Sequence, residues 1–240
     1  MIVYPIEWEK DYEHLGLEAD AVINELMNVL SSLHVRNIAY SGGIDSSIVL
    51  CMLSMYSSIK IHTYTIASRE DHPDIIFARM GSEKYNTIHH EFIVDPNNTQ
   101  TDKFNGDNVV RQFFENIKNY TDEIICCDGI DEFMCGYYDH MDESLETYAY
   151  YLSRLSPDHL APLNKNSGSV KVYLPYLDDA LVDIYNKIPL HLKISKNDRK
   201  LIMKDIARKL KIPNEIIDRN KYGFCDAFLS KDKEDIKILS

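Results

Sequence analysis

The run Ser41-Gly42-Gly43-Ile44-Asp45-Ser46-Ser47 constrains this chain more than any other feature. A short apolar stretch (Asn37 to Tyr40) precedes it, and an apolar segment from Ile48 to Tyr56, free of glycine and proline, follows. Strand, glycine turn and helix in that order turn free backbone N–H groups and a helix N-terminus toward an anion. Two adjacent glycines let the main chain approach a phosphate closely, and Ser41, Ser46 and Ser47 add hydroxyl donors. Asp45 would repel that phosphate unless a divalent metal lay between them, which makes Asp45 a candidate ligand for Mg²⁺. The glycine pair alone fits any βα turn with an N-cap serine. The full string is far more specific, and the GxxxxGK[ST] phosphate loop is absent.

The chain has 240 residues, enough for one large α/β domain with a substantial core. Its 38 acidic residues outnumber 26 basic ones, for a formal charge of −12, which disfavours a nucleic-acid backbone as the main partner. Five cysteines, two of them adjacent (Cys126 and Cys127) and none in CxxC spacing, fit reduced thiols better than a disulfide framework or a zinc site. The first ten residues lack a signal-peptide core, and no apolar run approaches transmembrane length. The expectation is a cytoplasmic protein without a membrane partner.

Leu15 to Leu33 carries apolar residues at helical spacing. Strands are expected at Asn37 to Tyr40, Ile59 to Ile66, Thr87 to Val94 and Glu123 to Cys127. Helices alternate with them, one starting at Pro73 and one over Val109 to Tyr120, joined by a polar connection from Asp95 to Asp107. That alternation predicts a doubly wound, mainly parallel α/β sheet, with ligands bound beyond the carboxyl ends of the strands. From Asp142 onward the pattern is helical (Asp142 to Leu155, Leu177 to Ile188, Asn197 to Leu210), with no further strand and a mobile Asn/Ser/Gly loop at Lys165 to Lys171. The expected organisation is a single domain: an N-terminal helical segment over 1–34, a nucleotide-binding core over 35–140, and a C-terminal helical extension over 141–240.

A second acidic string, Cys127-Asp128-Gly129-Ile130-Asp131-Glu132, begins where the fourth strand ends. Three carboxylates within five residues crowd like charge together, which a cation or a substrate amine would offset. A solvated helix start would tolerate the same residues. If this string lies opposite the glycine loop, Asp45 and Asp131 together hold Mg²⁺ against the phosphates of ATP.

With both strings in view, the chain resembles the synthetase domain of the asparagine synthetase family, related to the β-lactam synthetases within the superfamily of SGGxDS-loop ATP pyrophosphatases. Cys127 to Tyr137 is similar to the family's GEGxDExFGGY segment, and Thr87-Ile88-His89-His90-Glu91 to its T-x-H-H-E strand. Leu174 to Asp178 resembles V-P-F-L-D, and Lys200, Pro213 and Arg219 to Phe224 match the closing K…P…R-x-K-x-G-F pattern. The resemblance implies an ATP-dependent, AMP-forming ligase that activates a small-molecule carboxylate as an acyl-adenylate and forms an amide with ammonia or an amine. By the same resemblance Ser41, Gly42, Gly43, Asp45, Ser46 and Cys127 bind ATP, Asp45 and Asp131 bind Mg²⁺, and Lys221, Lys200 and Asp128 are catalytic. Within the superfamily, a tRNA- or nucleotide-modifying or sulfur-transfer enzyme is one alternative, and a non-catalytic ATP-binding module another.

The chain departs from the family pattern at several points. Asp128 stands for the family glutamate, Cys126 and Cys127 for small residues, Cys135 for the first glycine of the G-G-Y corner, and Tyr173 for an arginine. Substrates other than aspartate are therefore in view. Position 2 is Ile2 where the family's glutaminase domain exposes a cysteine, and fewer than forty residues precede the stretch, from Val35, that resembles the synthetase. The nitrogen is thus expected as free ammonia, as ammonia from a separate glutaminase subunit, or on an amine substrate, and an oligomer is compatible with either route.

Overall fold

The structure is a computed structural model, and it describes residues 18–95, 105–220 and 227. Helix α1 (Glu18–Ser32) precedes strand β1 (Asn37–Ala39), and the glycine loop leads into α2 (Ile44–Tyr56). Then follow β2 (His62–Ala67), α3 (Pro73–Lys84), β3 (Ile88–Ile93), α4 (Asn105–Ile117), β4 (Glu123–Ile125) and α5 (Ile130–Phe133). The C-terminal part holds α6 (Leu145–Arg154), a π-helical turn (Leu155–Leu160), α7 (Ala161–Asn166), β5 (Lys171–Tyr173), α8 (Asp179–Lys187), α9 (Leu201–Lys209) and α10 (Asn214–Ile217).

The five strands are all parallel in the order β3-β2-β1-β4-β5. Helices α2 and α3 carry the chain outward on one face, from β1 to β2 to β3. It then crosses to the other face through α4 and returns beside β1 as β4. The direction of winding therefore reverses between β1 and β4, which leaves a crevice at the carboxyl ends of those two strands. Two apolar layers follow from this winding. The larger joins α1, α2, α8 and α9 to the sheet through Val22, Leu26, Leu50, Leu53, Leu181 and Met203. The smaller lies under α4 and α7, with Tyr64, Phe113, Phe114, Ile124 and Leu163.

The doubly wound parallel sheet agrees with the sequence reading, and its strands and helices fall within a few residues of their expected places. The absence of strands after Asp142 does not hold. Lys171, Val172 and Tyr173 pair in parallel with Glu123, Ile124 and Ile125 and close the sheet's edge. Three residues are too few to show alternation, and neither Lys171 nor Tyr173 is fully buried. The stretch expected as a loop from Lys165 to Lys171 instead ends α7, turns through Gly168 (φ +61°) and opens β5.

Candidate active site

The glycine loop is fixed by packing on both flanks. Gly42 has φ +68°, and a Cβ there would fall 2.4 Å from the backbone carbon of Phe77 and 2.6 Å from the nitrogen of Ala78. This glycine is required because α3 passes directly beneath the turn. α3 itself starts at Pro73 with His72 as its cap, Nδ1 accepting from the Asp74 amide at 3.1 Å. Asp74 pairs with Arg219, both about 5 % exposed, and Arg219 also donates to the Ser41 carbonyl at 2.8 Å. The loop is thereby tied to α3 and to the segment after α10. Gly43 caps α2, where Ser47 N–H donates to its carbonyl at 2.9 Å and Ser46 Oγ at 3.2 Å. Tyr176 O–H donates to the Asp45 carbonyl at 2.9 Å and braces the first turn of α2.

From β4, the chain passes Cys126 and Cys127 to Asp128, turns at Gly129 (φ +95°) and enters α5. At Gly129 a Cβ would meet Leu177 at 2.4 Å, so the second loop is also pressed against its neighbour. Asp131, in the first turn of α5, faces Asp45 across the crevice. Lys200 joins them: its ammonium contacts Asp45 Oδ2 and lies 2.5 Å from Asp131 Oδ1. Lys200 is 7 % exposed, has φ +55° and caps the N-terminus of α9. Burial alone would push its pKa down. The Asp131 and Asp45 carboxylates together outweigh that and hold it above the ordinary lysine value. Gly136 leaves room for the cluster, because a Cβ there would lie 1.7 Å from Asp131 Oδ1 and 2.7 Å from Lys200 Cε.

These groups line a cavity of about 410 Å³ that opens over the β1–β4 crevice. Its lining mixes the basic side chains Arg199, Lys200, Lys204 and Arg219 with carboxylates that include Asp45, Asp128, Asp131 and Glu132. Burial lifts the Asp128 carboxyl to about 6; His159 opposes the shift and Glu132 adds to it. Glu132 is buried, accepts from Tyr137 O–H at 2.6 Å and lies 3.4 Å from His159 Nε2. Burial and then the neighbouring Asp131 raise its pKa as well.

Of the residues singled out in the sequence, Ser41, Gly43, Asp45, Ser46, Cys127, Asp128, Asp131 and Lys200 all line this cavity. Gly42 is not among the lining residues: it shapes the turn from below. Ser47 is likewise turned away, its hydroxyl 3.0 Å from Tyr40 Oη in the core, so it supplies no donor to the cavity. Cys126 is buried among apolar side chains, and burial drives both its pKa and that of Cys127 well above the thiol range. Cys126 packs as a small hydrophobe, and the half-buried Cys127 packs against the larger apolar layer while facing the cavity. Lys221 lies outside the described residues. Sequence reasoning overlooked His159, because nothing in a lone histidine distinguishes a cavity wall from a core, and Tyr137 was visible only as the end of the stretch that begins with the second acidic string. Arg219 was visible only as the opening of the closing motif.

The asparagine synthase family model matches residues 38–103 and 140–237. The chain belongs to the asparagine synthase family. This makes it an asparagine synthetase-type synthetase domain, and the resemblance drawn from its motifs holds. The gap in the match, 104–139, contains Asp128 and Asp131, so their assignment rests on the geometry above. Among solved structures, NMN synthetase from Francisella tularensis is similar at 14 % identity and a TM-score of 0.49, covering 92 % of this chain and 81 % of that one. No curated protein matches the sequence. Among the described residues, no helix is long and apolar enough to cross a membrane.

Proposed function

We propose that this chain is an ATP-dependent, AMP-forming ligase. It activates a small-molecule carboxylate as an acyl-adenylate and passes the acyl group to ammonia or an amine. One observation carries the reading: two carboxylates from the loops either side of the sheet's reversal, Asp45 and Asp131, converge on the Lys200 ammonium over the cavity. A carboxylate pair already holding a cation, with hard oxygen donors and a glycine loop beside it, suits Mg²⁺. Asp45 and Asp131 would hold that ion, which when bound supplies neutralising charge for the triphosphate.

Ser41, Gly43, Ser46 and the first-turn amides of α2 bind the pyrophosphate portion of ATP, and Gly42 lets the chain turn tightly enough to present them. Cys127 walls the nucleotide without reacting. An oxygen of the substrate carboxylate attacks the α-phosphorus, and the bond to the β-phosphate oxygen breaks. Negative charge grows on the departing pyrophosphate, where Lys200 and Lys221 stabilise it. The nitrogen nucleophile then adds to the acyl carbon and displaces AMP, and Asp128 takes the proton it sheds. We read residues 1–240 as one synthetase domain working in the cytoplasm. The nitrogen comes as free ammonia, as ammonia from a separate glutaminase subunit, or on an amine substrate.

The test is pyrophosphate release from Mg-ATP against a panel of carboxylates, with and without ammonium or an amine. Amine-dependent AMP formation supports the ligase. Dependence on tRNA, or ATP binding without turnover across the panel, overturns it. Lys221→Ala should lose AMP formation by at least a hundredfold while ATP still binds, and unchanged turnover would remove Lys221 from the mechanism.

A further inference from the structure

Lys200 occupies the position between the two carboxylates that the ligase reading gives to a divalent cation. Its ammonium contacts both Asp45 and Asp131, and the carboxylates lie close enough to share it. One pair of carboxylates cannot give its facing oxygens to a buried ammonium and a metal ion at once. Two like positive charges a few ångströms apart, one of them on a side chain only 8 % exposed, would repel strongly.

The backbone around Lys200 is pinned, while its side chain is long and unbranched. Ser195 and Asp198 pair across a tight bridge, Lys204 holds Asp198, and Arg199 bonds the Gly136 carbonyl with its guanidinium 3.6 Å from the Tyr138 ring centre. Leu201 N–H donates to the Lys193 carbonyl at 2.9 Å, and Lys204 N–H to the Lys200 carbonyl at 2.9 Å. The loop therefore delivers the lysine to a fixed point, from which its four-carbon stem can swing.

We infer that Lys200 is an exchangeable counter-ion: it bridges Asp45 and Asp131 and offsets half their charge in the resting enzyme, then yields them to a divalent cation and turns its ammonium to the phosphates of ATP. This rests on the ligase reading but adds a role to the lysine. The same charge that stabilises the empty carboxylate pair is carried to the leaving group. The enzyme thereby avoids a bare pair of half-buried carboxylates before the nucleotide arrives, and an unpaired buried ammonium afterwards. It also sets an order, since Lys200 reaches the phosphates only when another cation has taken its partners.

The experiment measures metal binding without nucleotide, by titrating wild-type protein, Lys200→Met and Lys200→Gln with Mn²⁺ and following free ion by electron paramagnetic resonance. Exchange predicts that both variants bind one Mn²⁺ at least tenfold more tightly than wild type, and that adding Asp131→Asn removes the gain. The same variants lose AMP formation. A crystal of the wild type with Mn²⁺ and a non-hydrolysable ATP analogue should show Lys200 moved off both carboxylates. Equal or weaker Mn²⁺ binding by the variants, no binding by any of them, or a metal seated with Lys200 still between the carboxylates overturns the exchange. Those results leave the ligase standing if pyrophosphate release by the wild type is intact, whereas absent release by the wild type with tighter metal binding by the variants removes the ligase and leaves only the competition of Lys200 with metal for the two carboxylates.

Discussion

Replacing Lys193 with methionine should abolish a pH dependence of stability that this one side chain imposes. Lys193 has no exposed surface, and its ammonium donates to Tyr148 Oη and to the Tyr185 carbonyl, each at 2.9 Å, beneath the loop that carries Lys200. Burial lowers its pKa from 10.5 to about 7, and the Cys135 thiol beside it offsets little of that. The unfolded chain therefore holds a proton between about pH 7 and 10.5 that the folded chain has released. Stability must rise with pH across that window, by up to about 1.4 kcal/mol per pH unit. Summed over the window, the buried ammonium costs on the order of 5 kcal/mol near neutrality. Methionine fills similar volume without the charge but removes two hydrogen bonds, at about 0.5–1.5 kcal/mol each independent of pH, while Tyr148 O–H still donates to the Phe133 carbonyl and the Tyr185 carbonyl still accepts from Ile188 N–H. The variant should be more stable than wild type at pH 6.5 and less stable at pH 10, with the two curves crossing near about pH 9. Urea unfolding at half-unit steps from pH 6.5 to 10.5 reads both. Parallel curves for the two proteins would refute the reasoning, because they would mean that Lys193 titrates alike in the folded and unfolded states.

Gly136→Ala places a methyl group 1.7 Å from Asp131 Oδ1, so Asp131 must leave Lys200. AMP formation should fall at least a hundredfold with the far-ultraviolet circular dichroism unchanged, and near-normal turnover would contradict the crowding. Arg219→Met takes the guanidinium away from Asp74, whose side chain is 5 % exposed, and from the Ser41 carbonyl. It should cost about 3–5 kcal/mol in chemical unfolding. The double variant Arg219→Met with Asp74→Leu should recover much of that stability without recovering ATP affinity, because the glycine loop stays untied.

Much of this site was legible because its chemistry sits in two contiguous strings. Asp45 is framed by glycines and serines that have few other uses in that order, and Asp131 follows a strand of the right length. Neither string says that the two loops face each other. That depends on strand order, which puts β4 rather than β2 or β3 across the crevice from the glycine loop. Strand order is set by which helices cross on which face, and hydrophobic periodicity along the chain does not encode it. β5 was illegible for a related reason: a three-residue edge strand is defined by its partner β4, not by its own pattern.

Lys200 shows how a functional residue can be plain in sequence while its place in the site is not. As a letter it stands in a charged run, Lys196-Asn197-Asp198-Arg199-Lys200, that reads as the solvated start of the helix expected over Asn197 to Leu210. What distinguishes it is a backbone in the left-handed region at the start of α9, with the chain anchored before it by Asp198 and Arg199 and after it by Leu201 N–H on the Lys193 carbonyl. That conformation is unfavourable for a lysine and is held only by its surroundings. The two carboxylates supply part of the compensation, since they gain a counter-ion that neither loop provides for itself. Strain in α9 and like charge at the β1–β4 crevice are then two faces of one arrangement, and Asp131→Asn tests the link. Losing one partner should loosen the start of α9, seen as faster amide exchange at Leu201 and Ile202, with exchange in β2 unchanged. Equal exchange at both would mean that the left-handed turn stands on its own, with no contribution from the carboxylates.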